Sequence, residues 1–219
     1  IEHMPTPYRP LIAVFASGSG TTFRATADAI AQGLADFDIG LVITDHEKAG
    51  VLDQVAEVNR LYGFTIKTEI INKKRYPDGS QGRGQTRAEA EAVLRTLEGH
   101  AIDHFALMGC LRIIAPQVIE VWGWKPEYAQ KDPEHQGRYL ARMSNTHPGI
   151  LPATTDTYGI HTQAKVLELG LEETAHTFHV VATGVDTGPT IAENRVRAFP
   201  ASIYPAELAD TPEKLFARV

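Results

Sequence analysis

The chain has 219 residues, 43% of them hydrophobic, and 27 acidic against 21 basic side chains leave a formal charge of −6. That length supports one good-sized core, and the interspersed charge argues against a surface that coats nucleic acid. A lone cysteine, Cys110, excludes an intrachain disulfide, and no apolar run reaches the roughly 20 residues of a membrane span, so a reducing, cytoplasmic setting is expected.

Ile1-Glu2-His3-Met4 reads as a cloning remnant ahead of a natural start, and residues 1–9 are set aside as a lead. Leu11-Ile12-Ala13-Val14-Phe15-Ala16 is a continuous apolar run, the pattern of a strand buried on both faces of a parallel sheet. A helix is expected over 23–32, a strand over 39–43, and a helix over 51–62 that stops at Gly63. Strands over 64–71 and 103–108, with helices over 87–97 and 116–122, continue the alternation. Together they indicate a doubly wound, mostly parallel α/β sheet. Farther on come a strand through Asn145 and His147, a helix over 162–169, and strands over 177–181 and 190–196. The last two strands are joined closely enough to pair as a hairpin, which makes the sheet mixed. Two polar stretches, 72–85 and 123–138, break the rhythm and read as surface insertions. Cys110, inside an apolar run, reads as a small buried hydrophobe.

Two segments carry chemistry. Ser17-Gly18-Ser19-Gly20-Thr21-Thr22 leads from a strand into a helix, which gathers backbone N–H groups where a phosphate can be cradled. No Lys follows Gly20, and the loop is not a full dinucleotide fingerprint, so a monophosphate site is preferred over an ordinary βα turn capped by a threonine. The second segment is Asn145-Thr146-His147-Pro148. Residues two apart on a strand share a face, and Pro148 ends the strand because it has no N–H to give. An amide and an imidazole then stand at the carboxyl end of a strand, the edge where open α/β sheets bind ligands. Asp186, between Val185 and Thr187-Gly188-Pro189, supplies a carboxylate. The same residues also serve as turn formers, but an amide donor, an imidazole and a carboxylate together suit acyl-type transfer.

In this order the motifs resemble the glycinamide ribonucleotide formyltransferases from about Pro10 to Val219. The likeness rests on Ala16 to Thr21, Met108 to Pro116, Asn145 to Pro152, Gly159-Ile160-His161-Thr162-Gln163, and Thr177-Phe178-His179 running on to Pro189. It implies a single Rossmann-like formyltransferase domain over 10–219, with a phosphate- and ribonucleotide-binding half (10–110) and a folate-binding and catalytic half (111–219). It also implies transfer of a formyl group from 10-formyltetrahydrofolate to the amine of glycinamide ribonucleotide in purine biosynthesis, without a metal. Asn145 would bond the formyl oxygen, His147 would stabilise that oxygen or carry the amine proton, and Asp186 would orient His147 and favour its charged form. The phosphate contacts implied are Gly20, Thr21, Thr22 and Arg87. The folate pocket implied is lined by Leu111, Arg112, Ile113 and Ile114, with Ala182, Thr183, Gly184 and Val185. His161 and His179 match family positions but are kept out of the catalytic set, with His179 placed to support Asp186.

The chain departs from the resemblance in four places. Thr22 stands where the family usually has Asn, and Gly149 where it has Ser. The stretch 154–158 carries extra residues, and the chain stops at Val219 inside its last expected helix, before the family's ribose-gripping carboxylate and final strand. The implied partners are small molecules, with no nucleic acid and no membrane, on a monomer or homodimer. Rival readings are formyltetrahydrofolate hydrolase or another formyltransferase of the same fold, a non-catalytic folate-binding module, and a nicotinamide-dependent oxidoreductase. The glycine loop disfavours the sister enzymes, and the complete Asn145, His147 and Asp186 set disfavours the binding module.

Overall fold

The computed structural model describes residues 8–78 and 82–219. Residues 1–7, with most of the expected lead, and 79–81 within the first expected insertion lie outside them. Seven strands form one mixed sheet. They are β1 (Leu11–Phe15), β2 (Asp38–Thr44), β3 (Lys67–Ile70), β4 (His104–Met108), β5 (Met143–His147), β6 (Glu173–Val180) and β7 (Thr190–Arg197). Their order is β3-β2-β1-β4-β5-β6-β7. The chain divides into two compact units, one ending at Arg112 and one beginning at Ile113.

In the first unit β1 pairs in parallel with β2 and β4, and β2 with β3. Ala13, Val14 and Phe15 of β1 are fully buried, as a central parallel strand requires. Helices α1 (Thr21–Ala31), α2 (Gly50–Tyr62) and α3 (Arg87–Gly99) connect the strands. Phe23, Ala27 and Ile30 lie on one face of α1, and Val51, Val55 and Val58 on one face of α2. These two stripes close a core with Val14, Val42 and Ala106. Gly63 ends α2 at φ +71, a left-handed conformation glycine takes without a Cβ penalty. A capping box starts α3: the Thr86 hydroxyl accepts the Glu89 N–H at 2.9 Å, and the Thr86 N–H donates to the Glu89 carboxylate at 2.6 Å.

In the second unit β5 pairs antiparallel with β6, and β6 with β7, which realises the expected hairpin. β6 begins at Glu173, four residues before the expected strand, because Glu173 to His176 pair with the far end of β7. Helix α4 (Pro116–Trp122) starts on a proline at its first turn, where no N–H is needed. The stretch 123–138, expected to be an irregular insertion, instead forms helix α5 (Pro126–Lys131) and the start of a 3-10 turn (Arg138–Leu140). Its charges hid a short helix that buries none of its own residues and so shows no apolar stripe. Helices α6 (Ile160–Glu168) and α7 (Pro212–Phe216) meet over Val166, Ala198 and Leu215.

Candidate active site

The carboxyl end of β5 holds the chemistry of the second unit. Asn145 and His147 stand opposite His179 and Thr177 of β6. The turn that follows is held by the Thr177 hydroxyl donating to the Gly149 carbonyl at 2.6 Å and by Gln163 donating to the Pro148 carbonyl. Asp186, in the loop between β6 and β7, has φ +53, a left-handed conformation that Asp tolerates better than most residues. That backbone carries its carboxylate to the strand end. Asp186 Oδ2 lies 3.5 Å from His147 Nδ1, and Asp186 Oδ1 accepts from Asn145 Nδ2 at 3.2 Å. The three residues implied by the resemblance therefore meet.

His179 joins them. Its Nδ1–H donates to the Val180 carbonyl at 2.9 Å, which leaves Nε2 to receive Asn145 Nδ2 at 3.2 Å, 3.5 Å from Asp186 Oδ1. Both Asn145 amide hydrogens are thus directed at protein groups. Donation to a ligand oxygen requires one of these bonds to be given up.

The two rings are buried, His147 and His179 being only 2% and 1% exposed, while Asn145 and Asp186 are partly open. Burial holds His147 below the ordinary histidine pKa. The Asp186 carboxylate pulls it upward, while His179 and His176 press it down again. Asp186 therefore does favour the charged ring, as expected, but burial wins and the net direction is the reverse of the expectation. For Asp186 itself burial raises the pKa. Its contacts with the rings of His179 and His147, which strengthen whenever either ring takes up a proton, and the Asp156 N–H at 3.3 Å outweigh it, so the carboxyl lies below its usual range. The arrangement pairs an ionised carboxylate with an imidazole poised to take and return a proton.

In the first unit the glycine loop leads from β1 into α1; Gly20, at φ +77, caps the helix, and the threonine cap of the alternative reading is not formed. The Gly20 carbonyl accepts the Arg24 N–H at 2.8 Å. A Cβ on Gly20 would lie 2.7 Å from Val51 Cα, so a side chain is barred by both conformation and space. The Val51 N–H donates to the Gly18 carbonyl at 3.1 Å and braces the loop on α2. Thr21 and the partly exposed Thr22 open the helix beside it.

Other expected contacts are differently placed. Arg87, at the start of α3, is exposed and pairs with Glu91 at 2.9 Å. Arg112 is held inward by Glu89, 2.7 Å away and 1% exposed, and also donates to the Gly84 carbonyl at 2.9 Å. Its charge is thereby compensated within the protein. Leu111 and Ile113 are exposed and Ile114 buried. Ala182 is buried, Thr183 and Gly184 are exposed, and Val185 is 36% exposed. His161 packs edge-on against Tyr158, away from the cluster's hydrogen bonds. Burial pushes the Cys110 thiol up to about 12, so it is no nucleophile at neutral pH. Among the described residues no group of three or more His, Cys, Asp or Glu side chains could hold a metal ion, and no helix is long and apolar enough to cross a membrane.

Sequence reasoning missed two side chains. Glu89 was legible in Thr86-Arg87-Ala88-Glu89, the spacing of a capping box. Thr154, whose hydroxyl lies 2.9 Å from His147 Nε2, had no signal beyond the extra residues of its segment.

An imidazole, a carboxylate and an amide at a strand's carboxyl end are the groups that suit transfer at an acyl carbon. Comparison with known proteins makes this specific. A family model described as formyl transferase matches residues 11–125 and 137–214. The chain belongs to the formyl transferase family. It is 29% identical over 215 residues to the chloroplastic phosphoribosylglycinamide formyltransferase of Arabidopsis thaliana, with 97% of this chain and 61% of that protein covered. It therefore spans about three-fifths of that relative's length. It is 27% identical over 184 residues to the phosphoribosylglycinamide formyltransferase of Bacillus subtilis, covering 84% of this chain and 77% of that one. Among solved structures, glycinamide ribonucleotide transformylase 1 from Geobacillus kaustophilus superposes with a TM-score of 0.73 at 29% identity, covering 97% and 91% of the two chains.

Proposed function

We propose that this chain is a phosphoribosylglycinamide formyltransferase, which moves a formyl group from 10-formyltetrahydrofolate to the amine of glycinamide ribonucleotide. The observation that carries the reading is the meeting of Asn145, the buried His147 and Asp186 beside the end of β5, in a chain with relatives that bear that name. The transfer forms a bond between the substrate amine and the formyl carbon and breaks the bond from that carbon to its carrier. One proton passes from the amine to the carrier nitrogen. His147, neutral by burial, takes the amine proton at Nδ1. Asp186 stabilises the imidazolium so formed and returns the ring to its resting state as the proton leaves. Asn145 exchanges one of its internal bonds for the oxygen as that atom gains charge.

Gly20, Thr21 and Thr22 offer uncapped N–H groups to the substrate phosphate, and the helix dipole favours the anion. In the second unit the exposed side chain of Ile113 and the backbone of 182–185 suit a flat heterocycle that needs an apolar face and a few fixed polar groups. Arg112, neutralised by Glu89, shapes this loop rather than offering a free charge. The substrates are small molecules, and the setting is cytoplasmic or, as for the Arabidopsis relative, an organelle with the same chemistry.

The test is to incubate the protein with 10-formyltetrahydrofolate, with and without glycinamide ribonucleotide, and follow deformylated folate by absorbance. Product that requires the ribonucleotide is expected. Product formed equally without it would identify a hydrolase, and folate binding without product in either tube would overturn the enzymatic reading.

A further inference from the structure

The imidazole of His147 has two nitrogens, and only Nδ1 faces the carboxylate and amide of the cluster. Nε2 points the other way, 2.9 Å from the hydroxyl of Thr154, a residue with no exposed surface. That hydroxyl has a single hydrogen, and it is committed: Thr154 Oγ1 donates to the Ile150 carbonyl at 2.9 Å. Toward His147 the oxygen can only accept. The ring nitrogen it meets must therefore carry the hydrogen.

Space for this contact is built into the turn. A Cβ on Gly149 would collide with Thr154 Oγ1 and with Thr162 Cγ2, so the residue after Pro148 has to be glycine for the hydroxyl to sit where it does. The segment is tied down on its other side as well. Thr157 Oγ1 donates to the Thr154 carbonyl at 2.5 Å and lies 3.0 Å from the Thr162 hydroxyl, while the Asp156 N–H reaches Asp186 Oδ2 at 3.3 Å. One short segment thus holds the imidazole from behind and the carboxylate from the side.

We propose that Thr154 is a positioning residue that fixes His147 as the Nε2–H tautomer and so makes Nδ1, beside Asp186 and Asn145, the nitrogen that exchanges the proton. The role usually filled by a carboxylate behind a catalytic histidine is filled here by a hydroxyl, which leaves Asp186 free to face the reacting groups. The inference rests on the transferase reading only for the identity of the proton carried. The tautomer itself is a property of the free protein. The other titratable groups facing His147 are Asp186, His179 and His176, and none of them lies at Nε2.

The experiment uses protein labelled with 15N at histidine, with His147 assigned through its loss in His147→Asn. Above the pH at which the ring titrates, the pyridine-type resonance is expected at Nδ1 in the parent protein and at Nε2 in Thr154→Val. Thr154→Val keeps the shape and removes the acceptor, while Thr154→Ser restores it. In the formyl-transfer assay kcat is expected to fall about ten-fold in Thr154→Val, the size of one hydrogen bond lost by a buried group. KM should hold, and Thr154→Ser should recover to within about three-fold. A pyridine-type Nε2 in the parent protein overturns the proposal even if the valine variant fails to fold. So does a serine variant as impaired as the valine one. If the tautomer is as stated but no formyl transfer is found, the transferase reading fails and the positioning of His147 stands.

Discussion

At the scale of single residues, the groups of the cluster constrain one another around two buried rings. His147 and Asp186 are drawn in opposite directions by burial and by each other, and the outcome is a neutral ring beside an ionised carboxyl. A proton-transfer group of this kind is worth roughly 100-fold or more in rate. His147→Ala and Asp186→Asn are each expected to cut kcat by at least about 100-fold in the steady-state formyl-transfer assay, with the fold retained by circular dichroism. Rates near that of the parent in both variants would remove these residues from the mechanism. Asn145, His147 and Asp186 were readable in the sequence because residues two apart on a strand share a face, and a proline marks where the strand stops. The direction of the His147 shift was not readable. It depends on how much water the folded cluster excludes, and no local pattern reports that quantity.

At the scale of elements, the glycine loop shows how one backbone conformation sets the start of a helix. The left-handed Gly20 turns the chain out of β1 so that α1 begins without a side-chain cap, and α2 stands directly behind it. Gly20→Ala places a Cβ 2.7 Å from Val51 Cα and forces an unfavourable φ. The expected result is a raised KM for glycinamide ribonucleotide with a smaller change in kcat, together with a stability loss of about 1–2 kcal/mol in urea unfolding. An unchanged KM would show that the loop does not hold the phosphate. Most elements were legible from their punctuation, as with the glycine after α2 and the proline that opens α4. Helix α5 was not, since with no buried side chain its periodicity had nothing to mark. The early start of β6 was equally hidden, because Glu173 to His176 become strand by pairing with β7 rather than by their own pattern.

At the scale of the whole molecule, the buried titratable groups tie stability to pH in one direction. His147 and His176 both titrate below the ordinary histidine value because burial opposes their charge, and Asp186 titrates below the ordinary carboxyl value. In each case the unfolded chain takes up protons before the folded one does. The stability these three groups contribute is therefore full above about pH 6.5, declines as the histidines of the unfolded chain protonate, and declines again below about pH 4 as Asp186 is challenged. Thermal unfolding followed between pH 8 and pH 4 should show the melting temperature falling on the acid side of about 6.5, less so in His176→Gln. A melting temperature that rises on acidification through that window would contradict the burial of these rings.

What the sequence by itself determined was local and covalent: the order of most strands and helices, the glycine that stops α2, and the amide and imidazole placed on one face of one strand. Each follows from backbone geometry over a few residues and survives whatever packs around it. The tertiary structure alone decided which groups compete for the same hydrogens. It set Asn145 between His179 and Asp186, locked Arg112 onto Glu89, and put a threonine hydroxyl behind the imidazole of His147. Those outcomes depend on distances between residues far apart in the chain and on the exclusion of water from the space they share. That exclusion is what turns a set of polar side chains into an acid, a base and a donor.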